Sequence, residues 1–263
     1  IPIICVGNIY IGGTGKTPTC ILLAKELTRL GRNPTILKKF YKNHADEHAL
    51  IRKNFKNLIL TNNRIDGLKK AEEMNFDCAI LDDGFQDYGI KKDLNLICFS
   101  NEQQIGNGFV LPAGPLRENL KSLVNANIVL INGGKDKTFE DKILKINSDI
   151  EFFYTEYKPI NLDQFRNMEL LALAGIGNPK NFFKLLKKNG LQVKKERTFP
   201  DHYRFKDNEI LEIINEADKN NYQIIMTEKD YYRIRENYRE KIKYLEVSLE
   251  IQNKEKLLKK LNI

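Results

Sequence analysis

Residues 3–17 read Ile-Ile-Cys-Val-Gly-Asn-Ile-Tyr-Ile-Gly-Gly-Thr-Gly-Lys-Thr, and an apolar-periodic run from Cys20 to Leu30 follows. A β-branched run, a glycine-rich turn ending in Gly-Lys-Thr and an amphipathic helix form the strand–loop–helix context of a phosphate-binding loop. The pattern reads as a nucleoside triphosphate site. In such a loop Gly12, Gly13, Thr14 and Gly15 bring backbone N–H groups against phosphate oxygens and the helix start adds a favourable dipole. Lys16 supplies charge, and the Thr17 hydroxyl suits Mg²⁺. The strict template has glycine where this chain has Tyr10, so Gly12 and Gly13 must supply the turn. A plain glycine turn with a chance Gly-Lys-Thr is the alternative, and the flanking strand and helix weigh against it.

Bulk properties narrow the remaining classes. The chain has 263 residues, 41% hydrophobic and 30% charged, enough for one large domain or two medium ones of ordinary globular composition. No window approaches the roughly 18 uninterrupted apolar residues of a membrane span. The chain starts at Ile1 with a strand almost at once, so a preceding segment is expected. A net charge of +8 favours anionic partners: nucleotide phosphates, an acidic membrane surface or nucleic acid. The basic residues are dispersed and not interleaved with aromatics as base stacking requires, so nucleic acid is not expected. Cys5, Cys20, Cys78 and Cys98 are far apart, without a C-x-x-C pair, and read as core thiols in a reducing compartment. With only His44, His48 and His202, a histidine-rich metal site is not expected either.

Strand and helix signals alternate along the chain. Strands are expected at 35–38, 58–60, 78–81, 94–99 and 127–131, with a short helix from Asp46 to Phe55 and another over 64–74. Near Phe152 to Pro159 an aromatic, strand-like stretch and a polar turn mark a domain link. A second series follows: strands at 170–174, 192–197, 224–227 and 244–247, and helices at 179–189, 208–219 and 254–261. The expectation is two tandem α/β/α domains with mostly parallel sheets, a P-loop NTPase-like domain over 1–157 and a smaller α/β domain over 158–263.

A second chemical signal is Cys78-Ala79-Ile80-Leu81-Asp82-Asp83-Gly84-Phe85-Gln86. Carboxylates at the end of an apolar strand are where a P-loop protein holds Mg²⁺, directly or through water, beside the loop hydroxyl. That makes Asp82 and Asp83 metal-side candidates with Thr17. The bland reading is a solvated acidic turn.

At this point an ordered set of blocks becomes specific. Val6-Gly7-Asn8, Gly12 to Pro18, Leu81 to Gln86, Gly106-Asn107-Gly108, Leu111 to Glu118, Gly175 to Pro179, Phe199-Pro200-Asp201-His202 and Thr227 to Asp230 occur in that order. Together they resemble the tetraacyldisaccharide 4'-kinase (lipid A 4'-kinase) family of Gram-negative bacteria, from Val6 to about Asp230. That family also lacks glycine at the position of Tyr10. The resemblance implies ATP- and Mg²⁺-dependent phosphorylation of the 4'-hydroxyl of tetraacyldisaccharide 1-phosphate, giving lipid IVA at the cytoplasmic face of the inner membrane. It implies two α/β domains with the active site between them. Its partners would be the lipid A disaccharide substrate and the anionic membrane surface, reached through an N-terminal segment missing here, and the chain is expected to be a monomer.

Carried over residue by residue, the resemblance gives Lys16 to the phosphates. An acidic residue matched by Asp46, followed by Glu47, pairs with the histidine matched by His202 as the group that takes the hydroxyl proton. A carboxylate orienting an imidazole is a sensible base near neutrality. Without the resemblance, Asp46 and Glu47 could simply start a helix, and His202 could be an ordinary loop residue. Arg117 and Glu118, after a Pro-Gly-Pro turn, suit nucleotide recognition or form a surface ion pair, and Gln86 suits nucleotide or metal-bound water or a structural role. The chain departs from the family pattern in three places. Lys38-Lys39-Phe40-Tyr41-Lys42 replaces Ser-Arg-Gly-Tyr-Gly, the segment from Tyr41 to Asp46 is short, and Asp87 stands where histidine is common. Two alternatives to the kinase are a P-loop nucleotide-binding switch, against which the lack of an Asn-Lys-x-Asp guanine motif counts, and a catalytically degenerate relative.

Overall fold

The computed structural model describes residues 1–42, 44–201 and 203–261. Its elements alternate as the periodicity requires. The first series runs β1 (Ile3–Gly7), α1 (Lys16–Arg29), β2 (Pro34–Lys39), α2 (Ala45–Asn54), β3 (Leu58–Thr61), α3 (Arg64–Glu73), β4 (Cys78–Asp82), β5 (Leu94–Ser100), β6 (Ile128–Asn132), α4 (Lys137–Leu144) and β7 (Glu151–Pro159). After these come β8 (Glu169–Ala174), α5 (Pro179–Lys188), β9 (Gln192–Thr198), α6 (Asp207–Asn220), β10 (Gln223–Thr227), α7 (Glu228–Tyr231), β11 (Ile242–Leu245), β12 (Val247–Ile251) and α8 (Lys254–Lys260).

Local chemistry sets the helix starts. Asn63 caps α3 by accepting from the Ile65 N–H, and Asp136 caps α4 by accepting from the Phe139 N–H. Pro179 begins α5, where its missing N–H costs nothing.

By contacts the chain groups into two units. Unit 1 comprises 1–41, 51–157 and 249–263, and unit 2 comprises 42–50 and 158–248. Asp46 therefore belongs to unit 2, and the closing helix α8 to unit 1.

Unit 1 is organised by an eight-stranded sheet in the order β12-β7-β6-β5-β1-β4-β2-β3. β1 pairs in parallel with β4 on one side and β5 on the other, and Ile4, Cys5 and Val6 are fully buried. Because the strand order diverges on either side of β1, the loops leaving β1 and β4 share the crevice at the carboxyl ends, where ligands bind in open α/β sheets. One cluster of buried apolar side chains around Leu81, Phe85, Ile97, Phe99, Val129 and Phe139 packs beneath these strands. β12 runs against β7, with Ile160 N–H donating to Glu246 O and Gln252 N–H to Tyr154 O.

Unit 2 holds a four-stranded parallel sheet, β11-β10-β8-β9. Successive residues of β8 serve opposite cores. Leu170, Ala172 and Ala174 pack with Phe182, Phe183 and Leu186, while Leu171 and Leu173 pack with Ile210, Ile213 and Met226. A strand covered on both faces reads as a continuous apolar run, as this one does.

The structure departs from the sequence reading in several elements. Helices α4 and α7 lie in stretches where none was anticipated. The single strand expected at 244–247 is two strands in different sheets. Asn161 accounts for the break, since its side chain donates to Tyr244 O and accepts from the Glu246 N–H, taking over backbone groups that a continuous ladder would use. Among the described residues no helix is long and apolar enough to cross a membrane.

Candidate functional site

In unit 1 the loop between β1 and α1 is shaped by its glycines and by Asn8. Gly12 and Gly15 have φ of 103° and 91°, which a side-chain-bearing residue adopts only with strain. The Asn8 amide donates to Tyr10 O, Gly12 O and Thr14 Oγ1, at 2.6, 3.4 and 3.0 Å, and so staples the loop from inside. Gln86 Nε2 donates to Asn8 O at 2.8 Å, joining the turn after β4 to the same staple. Tyr10 earns its place by pairing, because it bridges to Leu116, and Ile11 N–H donates to Pro115 O. That pairing continues with Arg117 N–H donating to Ile9 O at 2.7 Å, which delivers the Arg117 side chain to the loop.

The charged groups converge behind this loop. Thr17 Oγ1 donates to Asp82 Oδ2 at 2.9 Å, and Lys38 Nζ lies 2.6 Å from the same oxygen. Arg117 Nη1 donates to Asp83 Oδ1 at 2.7 Å and to Gln86 Oε1 at 3.4 Å, and Lys16 Nζ lies 3.4 Å from Asp83 Oδ1. Burial acts to raise the Asp83 carboxyl, but Lys16 and then Arg117 outweigh it and hold it below the usual carboxylate range. Asp83 itself sits at φ 63°, and Arg64 secures that backbone by donating to Asp83 O at 2.7 Å. Six of the expected residues, Lys16, Thr17, Asp82, Asp83, Gln86 and Arg117, thus form one constellation. Glu118 turns aside and accepts from the Tyr88 hydroxyl at 2.7 Å.

The donor set fits a divalent cation. Asp82 is wholly buried, yet its Oδ1 has no hydrogen-bond partner among the described residues. A buried carboxylate oxygen left unsatisfied is costly unless something else completes it. The Thr17 hydroxyl donates its proton to Asp82 and keeps its lone pairs for a cation. Thr17 and Asp82 are therefore hard oxygen donors of the kind Mg²⁺ takes.

Unit 2 brings three further sequence blocks together with Asp46. Arg233 Nε and Nη2 donate to Asp46 Oδ2 at 2.8 and 2.7 Å, and Nη1 donates to Asp230 Oδ1 at 2.7 Å and to Gly175 O at 2.6 Å. Asp230 Oδ2 in turn accepts from the Gly175 N–H and the Thr227 hydroxyl. Lys229 Nζ lies 3.0 Å from Glu47 and 3.6 Å from Asp201. Asp46, Arg233 and Asp230 are buried, so this network is desolvated and its charges depend on one another. His202, the expected partner of Asp46, lies outside the described residues.

Sequence reasoning passed over Arg233, which lies three residues beyond the Thr-Glu-Lys-Asp block and one turn along the chain. It noted Lys38 only as a departure and did not single out Arg64. A basic residue in a turn, at a helix start or near a strand end carries no spacing signal of its own, so only the fold could reveal these partners.

Comparison with known proteins agrees with the geometry. The family model described as tetraacyldisaccharide-1-P 4'-kinase matches residues 1–262. A tetraacyldisaccharide 4'-kinase of Pelagibacter ubique is 42% identical, with 99% of this chain and 84% of that protein covered. One from Bradyrhizobium diazoefficiens is 32% identical, with 89% and 75% covered. The crystal structure of LpxK from Aquifex aeolicus in complex with ATP superposes with a TM-score of 0.72 at 25% identity, covering 98% of this chain and 87% of that one. On this match the chain belongs to the tetraacyldisaccharide-1-P 4'-kinase family.

Proposed function

We propose that unit 1 binds the nucleotide and its metal while unit 2 carries the base for the family reaction. That reaction is ATP-dependent transfer of the γ-phosphoryl group to the 4'-hydroxyl of tetraacyldisaccharide 1-phosphate in lipid A biosynthesis. The observation that carries the division is the constellation of Lys16, Thr17, Asp82 and Asp83 around a glycine-shaped loop at the carboxyl end of β1.

In this reading the loop N–H groups and Lys16 cradle the β- and γ-phosphates, and Arg117 adds a second cation. Gln86, which accepts from Arg117 and donates to Asn8 O, completes the nucleotide side, while Glu118 stays with Tyr88 outside it. Mg²⁺ would be held by Thr17 and Asp82, with Asp83 beside it, and would neutralise charge on the phosphates. In this proposal Asp46 orients the neutral His202 imidazole and stabilises the positive charge it gains on taking the 4'-hydroxyl proton. Arg233 holds the Asp46 carboxylate in place through two charge-assisted hydrogen bonds. The acceptor is a lipid, so the reaction belongs at a membrane surface, on our reading the cytoplasmic face of the inner membrane. The net charge of +8 suits its anionic headgroups.

Steady-state kinetics of Lys16→Ala and Asp46→Ala test the division. Lys16→Ala should weaken ATP affinity by about ten- to a hundredfold, the worth of a charge-assisted contact. Asp46→Ala should leave ATP affinity unchanged and lower kcat by about 10²- to 10⁴-fold, the usual share of general-base catalysis. Loss of ATP binding in Asp46→Ala, or an unchanged kcat there, would refute the assignment.

A further inference from the structure

Lys38 stands at the end of β2, directly opposite Asp82 in the parallel register. Its side chain is 7% exposed, and its ammonium meets the Asp82 Oδ2 that also accepts the Thr17 hydroxyl. Burying a lysine this deeply is tolerable only where an anion pairs with it. The anion here is the carboxylate assigned above to the divalent cation, and its other oxygen remains without a hydrogen-bond partner among the described residues. Lys16 and Arg117 stand on Asp83 nearby. Among the described residues three cations, Lys38, Lys16 and Arg117, therefore stand on two carboxylates.

We propose that Lys38 is a resident cation of the nucleotide site. It shares Asp82 with the divalent ion, lets the loop hold nucleotide phosphates without metal, and sets how much metal completes the site. This rests on the reading that ATP occupies the glycine-rich loop and the metal Thr17 and Asp82.

The two halves of the proposal carry opposite signs. Loss of the Lys38 charge removes an attraction for metal-free ATP and leaves Asp82 uncompensated, so metal-free nucleotide binds less well. The same uncompensated carboxylate attracts a divalent ion more strongly. A charge at hydrogen-bond distance, discounted for screening, is worth about a factor of ten in either direction. A purely structural lysine would instead weaken both.

The experiment is calorimetric titration of ATP into the full chain in EDTA and in Mg²⁺, with Mn²⁺ binding to the ADP complex followed by electron paramagnetic resonance. The parent, Lys38→Met, Lys38→Arg and Lys16→Met are compared. The parent should bind metal-free ATP within about tenfold of Mg·ATP. Lys38→Met should lose about tenfold in EDTA and gain about tenfold for Mn²⁺, while Lys38→Arg keeps the parental pattern. Equal weakening of both affinities in Lys38→Met, or no change in either, overturns the proposal. Should Lys38→Met fail to fold, the parent decides alone, because an absence of ATP binding in EDTA refutes a resident cation. Unchanged ATP affinity in Lys16→Met would show that the loop reading itself has failed.

Discussion

Arg233 grips Asp46 through two nitrogens on one carboxylate oxygen, at 2.7 and 2.8 Å, although 187 positions separate the two residues in the chain. The same guanidinium holds Asp230 and the Gly175 carbonyl. A buried arginine held this way acts as a keystone for three chain segments, and its removal takes the guanidinium from two buried carboxylates.

Arg233→Met should therefore destabilise the protein by about 3–5 kcal/mol, the cost of breaking a buried pair, and lower kcat along with it. Arg233→Lys keeps the charge but loses the fork, and should fall between parent and Arg233→Met. Urea unfolding monitored by circular dichroism gives the stabilities. A destabilisation below about 1 kcal/mol, the value of a surface pair, would show that the network does not hold the segment.

Asp83 provides a pH test. Burial works against its charged form, yet Lys16 and Arg117 keep its folded pKa below the usual carboxylate range. A carboxyl depressed on folding contributes stability above its unfolded pKa and loses it as pH falls through the lower folded value. Arg117→Met removes one of the two opposing cations, so the Asp83 titration should move upward and acid unfolding should begin at higher pH. Carbon-detected NMR titration of the Asp83 carboxyl reads the shift. A titration that stays in place or moves down would contradict the geometry.

The four cysteines should be inert in the native state. Burial pushes the thiols of Cys5 and Cys98 up to about 12 and that of Cys78 to about 11, and it raises Cys20 well above the ordinary value. All four are free and buried. Iodoacetamide at pH 8 should leave the folded protein unlabelled and add four groups after denaturation, as read by intact mass. Rapid native labelling would show that unit 1 opens far more readily than its packing implies.

The unit 1 site was legible in the sequence because its chemistry is local. A strand, a glycine turn and Gly-Lys-Thr are consecutive, and Asp82-Asp83 closes an apolar run, so periodicity placed both at strand ends. Arg117 was legible as a residue but not as a neighbour, since its approach depends on pairing between Arg117 and Ile9. The unit 2 network was legible only as separate blocks around Gly175, Asp201 and Asp230. What joins them is Arg233, which no pattern marks. The division of 244–247 into two strands escaped notice because it is imposed by Asn161, some eighty positions earlier. Long-range side-chain clamps of this kind leave no periodic trace.

The central claim is that this chain moves a phosphoryl group from ATP to the 4'-position of a lipid disaccharide. The most direct measurement incubates the protein with γ-labelled ATP, Mg²⁺ and tetraacyldisaccharide 1-phosphate in detergent micelles, and locates the added phosphate by mass spectrometry and phosphorus NMR. The account predicts one new phosphate, on the 4'-hydroxyl of the distal glucosamine, formed only with ATP and lost in Lys16→Ala. ATP turnover that releases inorganic phosphate and leaves the lipid unmodified would contradict it and favour a nucleotide switch.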